Sequence, residues 1–189
     1  MLLSPKVLNA HIAGRFYPIN ATGIIVVSLK DTLKKNWIFF LVVALMFFAD
    51  RTTKHCIINF FLDYKADTYY FNPFLNFVLV WNTGMAFGLF ESDNYIYHIL
   101  SFFITCVIVF LFFWLFKSQS RFEKMSISLV IGGALGNLYD RIVYNAVPDF
   151  IDLHYLDFHW FVFNVSDIVI TFGIILLLLN DLFSKKNAQ

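Results

Sequence analysis

A chain of 189 residues that is 59% hydrophobic, 14% charged and +1 in net charge is too apolar for an ordinary soluble domain. Its mean hydropathy of +0.69 points to several membrane-spanning helices in one compact domain. The small net charge argues against a nucleic-acid partner, and Cys56 and Cys106, at different depths and without C-x-x-C or zinc spacing, argue against a disulfide or a cysteine metal site.

Residues 1–35 carry no signal-peptide pattern, and the apolar run 24–29 is far too short to span a bilayer. They are expected to form a cytoplasmic, poorly ordered extension. Four apolar segments follow, over 36–54, 95–116, 124–143 and 164–183. Each is near the roughly 20 residues that a helix needs to cross the hydrocarbon core. The third is the least apolar, with Ser126, Ser128, Asn137, Asp140 and Arg141, but it is rich in small residues, Gly132, Gly133, Ala134 and Gly136. Small residues one turn apart let helices approach closely, so this helix is expected at the centre of the bundle. Lys34 and Lys35, then Lys117, Arg121 and Lys124, then Lys185 and Lys186 fall on one side, which the positive-inside rule makes cytoplasmic. Both termini are then inside, with 184–189 as a cytoplasmic tail. The stretch 68–90, with Tyr69, Tyr70, Phe71, Phe74, Phe77, Val78, Val80 and Trp81, favours strands. The expected fold is a mostly α membrane protein: a membrane domain over 36–183 with four transmembrane helices, a small extracytoplasmic β-sheet and an outer loop or short helix.

Polar residues gather at the outer ends of these segments. Asp50 and Lys54 share a helix face, acid first, which is the favourable order. The pair reads either as an ion pair tying down the helix end or as a fixed charge pair ordering a site. Asn82-Thr-Gly-Met-Ala-Phe-Gly holds an amide able to bind extended peptide and, at Gly84, a turn permitting close backbone approach. On the third helix Asn137 and Arg141 lie one turn apart with Asp140 beside them. Arg141 could grip a carboxylate or a peptide carbonyl, and Asp140 with Arg141 could equally be a buried network between helices.

Two further acids complete the set. Pro148 biases Val147 to an extended form, so Asp149 is expected on a loop rather than a helix. Asn164 is a plausible N-cap, which puts Asp167 at the third helical position. An ionisable group at the edge of lipid is costly, so it marks a functional site by default. Two acids that meet can share one proton and activate water, with Asp167 as base and Asp149 more often the proton holder. The segment between them, with Asp152, His154, Asp157 and His159, reads as a solvated loop, and without an H-E-x-x-H frame it supports no metalloprotease. The sequon Asn164-Val-Ser is discounted at a membrane edge.

The blocks Asp50-x-x-x-Lys54, Asn82-x-Gly84-x-Ala86-Phe87, Gly-Gly-Ala-Leu-Gly-Asn137-x-x-Asp140-Arg141, Val-x-Asp149-Phe and Phe-Asn164-x-x-Asp167 occur in that order. Together they resemble lipoprotein signal peptidase, the type II signal peptidase of bacteria. The resemblance implies four transmembrane helices, an outer β-cradle and a catalytic pair, Asp149 and Asp167. Asn137, Arg141, Asn164, Asn82, Gly84, Asp50, Lys54 and Asp140 take the supporting positions. It also implies cleavage of diacylglyceryl-modified prolipoproteins before the lipidated cysteine, sensitivity to globomycin, and a site near the periplasmic face of the inner membrane. No metal or cofactor is expected, the partners are the substrate and membrane lipids, and a monomer suffices. Ser166 and Pro148 depart from the family's usual alanine and valine, without removing a catalytic group. From a different class, a proton-coupled carrier could use the same carboxylates as a relay, although no internal repeat is visible.

Overall fold

The computed structural model describes residues 8–12, 15–19, 29–65, 67–83 and 94–186. Two compact units divide the chain, Met1–Trp37 and Ile38–Gln189. The first holds an antiparallel hairpin of β1 (Leu8–Ile12) and β2 (Arg15–Ile19), paired from Leu8↔Ile19 to Ile12↔Arg15. Sequence analysis assigned no element there.

Among the described residues, four helices and a second sheet follow. Helix α1 runs Leu29–Asp63, α2 Asn94–Lys117, α3 Arg121–Tyr144 and α4 Val165–Lys186. Helix α1 continues nine residues beyond the expected end at Lys54. Its polar run Arg51-Thr-Thr-Lys is not a terminus, because Lys54 is buried, and Phe60 then packs on Tyr64 and Tyr69 at ring distances of 5.1 and 5.4 Å. Among the described residues, three stretches are long and apolar enough to cross a membrane: Thr32–Asp63, Tyr97–Lys117 and Val165–Phe183. Their outward side chains, such as Phe102 and Leu178, are large and apolar, as lipid requires.

Helix α3 is as long as α2 but carries the polar residues noted above, and it is the helix most enclosed by protein. Ser120 caps its start by accepting from the Glu123 N–H, and Asn145 ends it in the left-handed conformation at φ 54°. A Cβ on Gly132 would lie 2.7 Å from Met46 Cβ, and one on Gly133 would lie 2.7 Å from the Ser166 carbonyl oxygen. The two glycines therefore let α1 and α4 close onto adjoining faces of α3. Phe39, Val43, Ile108, Leu111, Leu115, Ile127, Val130 and Ile131 fill the core among α1, α2 and α3.

The sheet is antiparallel with order β3 (Thr68–Asn72), β4 (Leu75–Asn82), β5 (Val147–Tyr155), β6 (Phe158–His159). Strands β3 and β4 fall where the aromatic run predicts them. The loop expected between the third and fourth helices is instead β5 and β6. Pro148, which lacks an N–H, is tolerated because it is the second residue of the strand, and Val147, Pro148, Asp149 and Phe150 are all buried. Asp149 thus lies on a strand rather than a loop. Phe77 pairs with Ile151 and Val80 with Asp149, so β4 carries one extra residue opposite Phe150. Such a bulge turns the strand locally and re-aims side chains beside it. Both cysteines are free and lie on exposed helix surfaces rather than in the core.

Candidate active site

Three elements bring Asp149 and Asp167 together. Strand β5 carries Asp149 into the junction of sheet and helices, where it is buried. Asn82 stands opposite Val147, diagonal to Asp149 on the same face, and its Nδ2 donates to Asp149 Oδ2 at 2.8 Å. Asn164 caps α4. Its Oδ1 accepts from the Asp167 N–H at 3.2 Å, and Asp167 Oδ2 accepts from the Asn164 N–H at 3.1 Å, a reciprocal capping box. The free end of the same amide, Asn164 Nδ2, donates to Asp149 Oδ1 at 2.6 Å. Asn164 therefore touches both acids, the Asp149 carboxylate through its side chain and the Asp167 carboxylate through its backbone N–H. The other oxygen, Asp167 Oδ1, accepts from Asn137 Nδ2 at 2.9 Å.

Behind Asn137 lies a charged cluster. Lys54 Nζ donates to Asn137 Oδ1 at 2.8 Å, which leaves the Asn137 amide end aimed at Asp167. Lys54 also binds Asp140 Oδ2 at 2.7 Å and Asp50 Oδ2 at 2.9 Å, and Arg51 bridges the same two acids. Asp50 Oδ1 accepts from the Ser166 N–H at 3.0 Å, so the cluster also fixes the first turn of α4. Two cations meet two anions with almost no exposure, which is how buried charge is tolerated. Gly136 makes room, since a Cβ there would lie 2.5 Å from both Asp50 Oδ2 and Ser166 Oγ.

Burial pushes the Asp149 carboxyl above the usual aspartate range. The amides of Asn164 and Asn82 oppose this, the charge of Asp167 adds to it, and the charge of Lys54 opposes it. Asp149 therefore keeps its proton to higher pH than an ordinary aspartate does.

Of the residues singled out from sequence, Asp149, Asp167, Asn164, Asn137, Asn82, Lys54, Asp50 and Asp140 form one connected set. Gly84 lies outside the described residues. Arg141 stays apart from the carboxylates. Its guanidinium lies 5.5 Å from the Tyr97 ring, its carbonyl accepts from the Tyr97 hydroxyl, and its buried Nε and Nη1 have no partner among the described residues. The alternative Asp140–Arg141 network does not form, because adjacent helical residues point about 100° apart. Asp140 turns instead to Arg51 and Lys54. Sequence reasoning missed Arg51 as a member; its signal was a cation next to Asp50 at the same helix level as Lys54.

Fold and site define a helical membrane protein with one buried and one half-buried carboxylate joined by one asparagine where a small sheet meets the bundle. A family profile described as Signal peptidase (SPase) II matches residues 42–183. The lipoprotein signal peptidase of Pelagibacter ubique (strain HTCC1062) is 44% identical over 163 residues, 85% of this chain and 98% of its own. That of Francisella tularensis subsp. novicida (strain U112) is 34% identical over 162 residues, 84% of this chain and 99% of its own. A bacterial membrane enzyme solved by the in meso method at 2.3 Å superposes with a TM-score of 0.65 at 26% identity, over 80% of this chain and 92% of its own. This chain belongs to the signal peptidase II family.

Proposed function

We propose that the protein is an aspartyl endopeptidase that removes signal peptides from diacylglyceryl-modified prolipoproteins, cutting before the lipidated cysteine. Asn164 holding Asp149 at 2.6 Å while forming a capping box with Asp167 is the observation that carries the reading. Asn164 thereby holds the Asp149 carboxylate with its side chain and the Asp167 carboxylate with its backbone N–H, and two carboxyl groups coupled in this way can divide a proton between them. In the proposed step the Asp167 carboxylate takes a proton from water as the oxygen attacks the scissile carbonyl. Asp149 gives its proton to the carbonyl oxygen, forming a tetrahedral diol. Collapse of the diol breaks the C–N bond, and a proton passes to the departing cysteine nitrogen. No covalent enzyme intermediate is needed.

Four helices cross the cytoplasmic membrane in this reading, α3 shielded by its neighbours, with both termini inside and the sheet as a cradle at the periplasmic face. The enzyme works as a monomer. Residues 36–183 carry the activity, and residues 1–35 are a dispensable extension. A carrier is less well supported, because Asp149 lies on a strand rather than along a path between helices.

Purified protein in detergent, given a synthetic diacylglyceryl-prolipoprotein, should release a fragment whose mass begins at the lipidated cysteine. A chelator should leave the rate unchanged. Asp149→Asn and Asp167→Asn should both be inactive while melting as the parent does. Cleavage by either variant would remove the proposed mechanism.

A further inference from the structure

The charged cluster behind the site fixes an orientation. Lys54 has three N–H donors, and all three are taken: by Asp50 Oδ2 at 2.9 Å, Asp140 Oδ2 at 2.7 Å and Asn137 Oδ1 at 2.8 Å. An ammonium group only donates, so it accepts only the oxygen end of the Asn137 amide as its neighbour. The nitrogen end is thereby turned to Asp167 Oδ1, 2.9 Å away. Reversed, the amide would set its oxygen against that carboxylate and its N–H groups against Lys54, and both bonds would be lost. Lys54 thus decides which end of Asn137 meets Asp167.

That orientation needs a Lys54 proton that the two acids do not claim. Asn137 is the neutral one of the three acceptors, and a bond to a neutral acceptor is weaker than one to a carboxylate. Two buried carboxylates facing a single ammonium group would compete for it, and the bond to Asn137 would be the first to break. Arg51 brings the second cation. Its guanidinium meets Asp140 as a fork, Nη1 on Oδ1 and Nη2 on Oδ2 at 2.6 Å, and Nη2 also lies 2.9 Å from Asp50 Oδ2. Both Asp140 oxygens are then engaged while Lys54 binds only one of them. The fork is held from one side by the Tyr139 ring, 4.8 Å away, and Phe47 meets that ring edge-on at 6.0 Å. The bonds of Arg51 run to Asp50 and Asp140, so its link to Asp167 passes through Lys54 and Asn137.

Resting on the endopeptidase reading, we propose that Arg51 is a positioning residue for the cleavage step: by satisfying Asp140 it leaves Lys54 free to hold Asn137 with its amide nitrogen on Asp167. Arg51 then sets the alignment of an acid that it does not touch.

The test is a double-mutant cycle in the full-length enzyme in nanodiscs, with a synthetic diacylglyceryl-prolipoprotein, at a temperature below the unfolding transition of every variant. Arg51→Gln should lower kcat about tenfold and leave KM within about twofold, the mark of misaligned chemistry rather than lost binding. Arg51→Lys, which returns the charge without the fork, should lower kcat only about threefold. In an Asn137→Ala background the amide is gone, so adding Arg51→Gln should change kcat by less than about twofold. A residue that only stabilises the fold would cost the same factor in both backgrounds. Equal losses in the two backgrounds, an unchanged kcat in Arg51→Gln, or a rise in KM as large as the fall in kcat would overturn the proposal. Should Arg51→Gln not fold, Arg51→Lys takes its place in the same cycle, with its loss expected in the parent and absent in Asn137→Ala. If the parent does not cleave, or Asp149→Asn still cleaves, the endopeptidase reading itself has failed, whereas equal losses in an active parent strike only the role of Arg51.

Discussion

Two pairs of acids, three of the four fully buried and Asp167 half-buried, lie one asparagine apart and are treated in opposite ways. Asp50 and Asp140 face Arg51 and Lys54, so their charges are cancelled on the spot. Among the described residues, Asp149 and Asp167 have no ion pair and are held by amides alone, from Asn82, Asn164, Asn137 and the α4 backbone. A cation would pin a carboxylate in its ionised form. An amide orients it at a smaller cost in proton affinity. The first pair is built to stay charged and hold helices together, and the second is built to exchange a proton. Asn137 connects them, with its oxygen on Lys54 and its nitrogen on Asp167.

The sharpest break of this comparison separates activity from stability. Replacing Asp149 or Asp167 with Asn should lower the cleavage rate by about 10³-fold or more, the scale of a lost acid or base acting in a coupled unit, with little change in melting temperature. Replacing Lys54 with Met should do the reverse first. It leaves two buried acids facing one cation, and breaking such a set costs about 3–5 kcal/mol. Thermal unfolding in detergent should show the loss directly. A Lys54→Met protein as stable as the parent would mean that the charged cluster holds nothing together. Gly136→Ala comes next. Its methyl would crowd Asp50 and Ser166, which cannot retreat without breaking the bond from the Ser166 N–H to Asp50, so a cost of about 1–3 kcal/mol is expected.

Much of this arrangement was legible in the sequence where the rule was local. The i,i+4 spacing of Asp50 and Lys54 forms its ion pair, and Asn164 caps α4 with Asp167 at the third position, as read from neighbouring residues alone. The aromatic run over β3 and β4 behaves as strand because β-branched and aromatic side chains suit a half-buried sheet. What was illegible depended on distant partners. Strand β5 shows no clean alternation, because both of its faces are covered over its first four residues, and it is a strand only because β4 lies alongside. Arg51 gains its place from Asp140 on another helix, 89 residues away. Arg141 looked like a ligand for the carboxylates on spacing, but its rotation about α3 turns it to Tyr97.

The finest test concerns the proton on Asp149. Asn82 donates to this carboxylate from the strand beside the bulge, and a donor favours the ionised form. Asn82→Leu removes that donor and leaves the burial, so the Asp149 carboxyl should rise further above the ordinary aspartate range. If Asp149 must carry a proton to act as the acid, activity falls as pH climbs through its pKa. The alkaline limb of kcat/KM should therefore move to higher pH in Asn82→Leu. Stability follows the same sign. A carboxyl with a raised folded-state pKa contributes fully below its unfolded-state value and loses that contribution as pH rises through the folded value, so in the variant the loss should be larger and should run to higher pH. If the acidic limb moves to higher pH instead and the alkaline limb stays, Asp149 acts as the base, exchanging the roles of the two acids while keeping the pair.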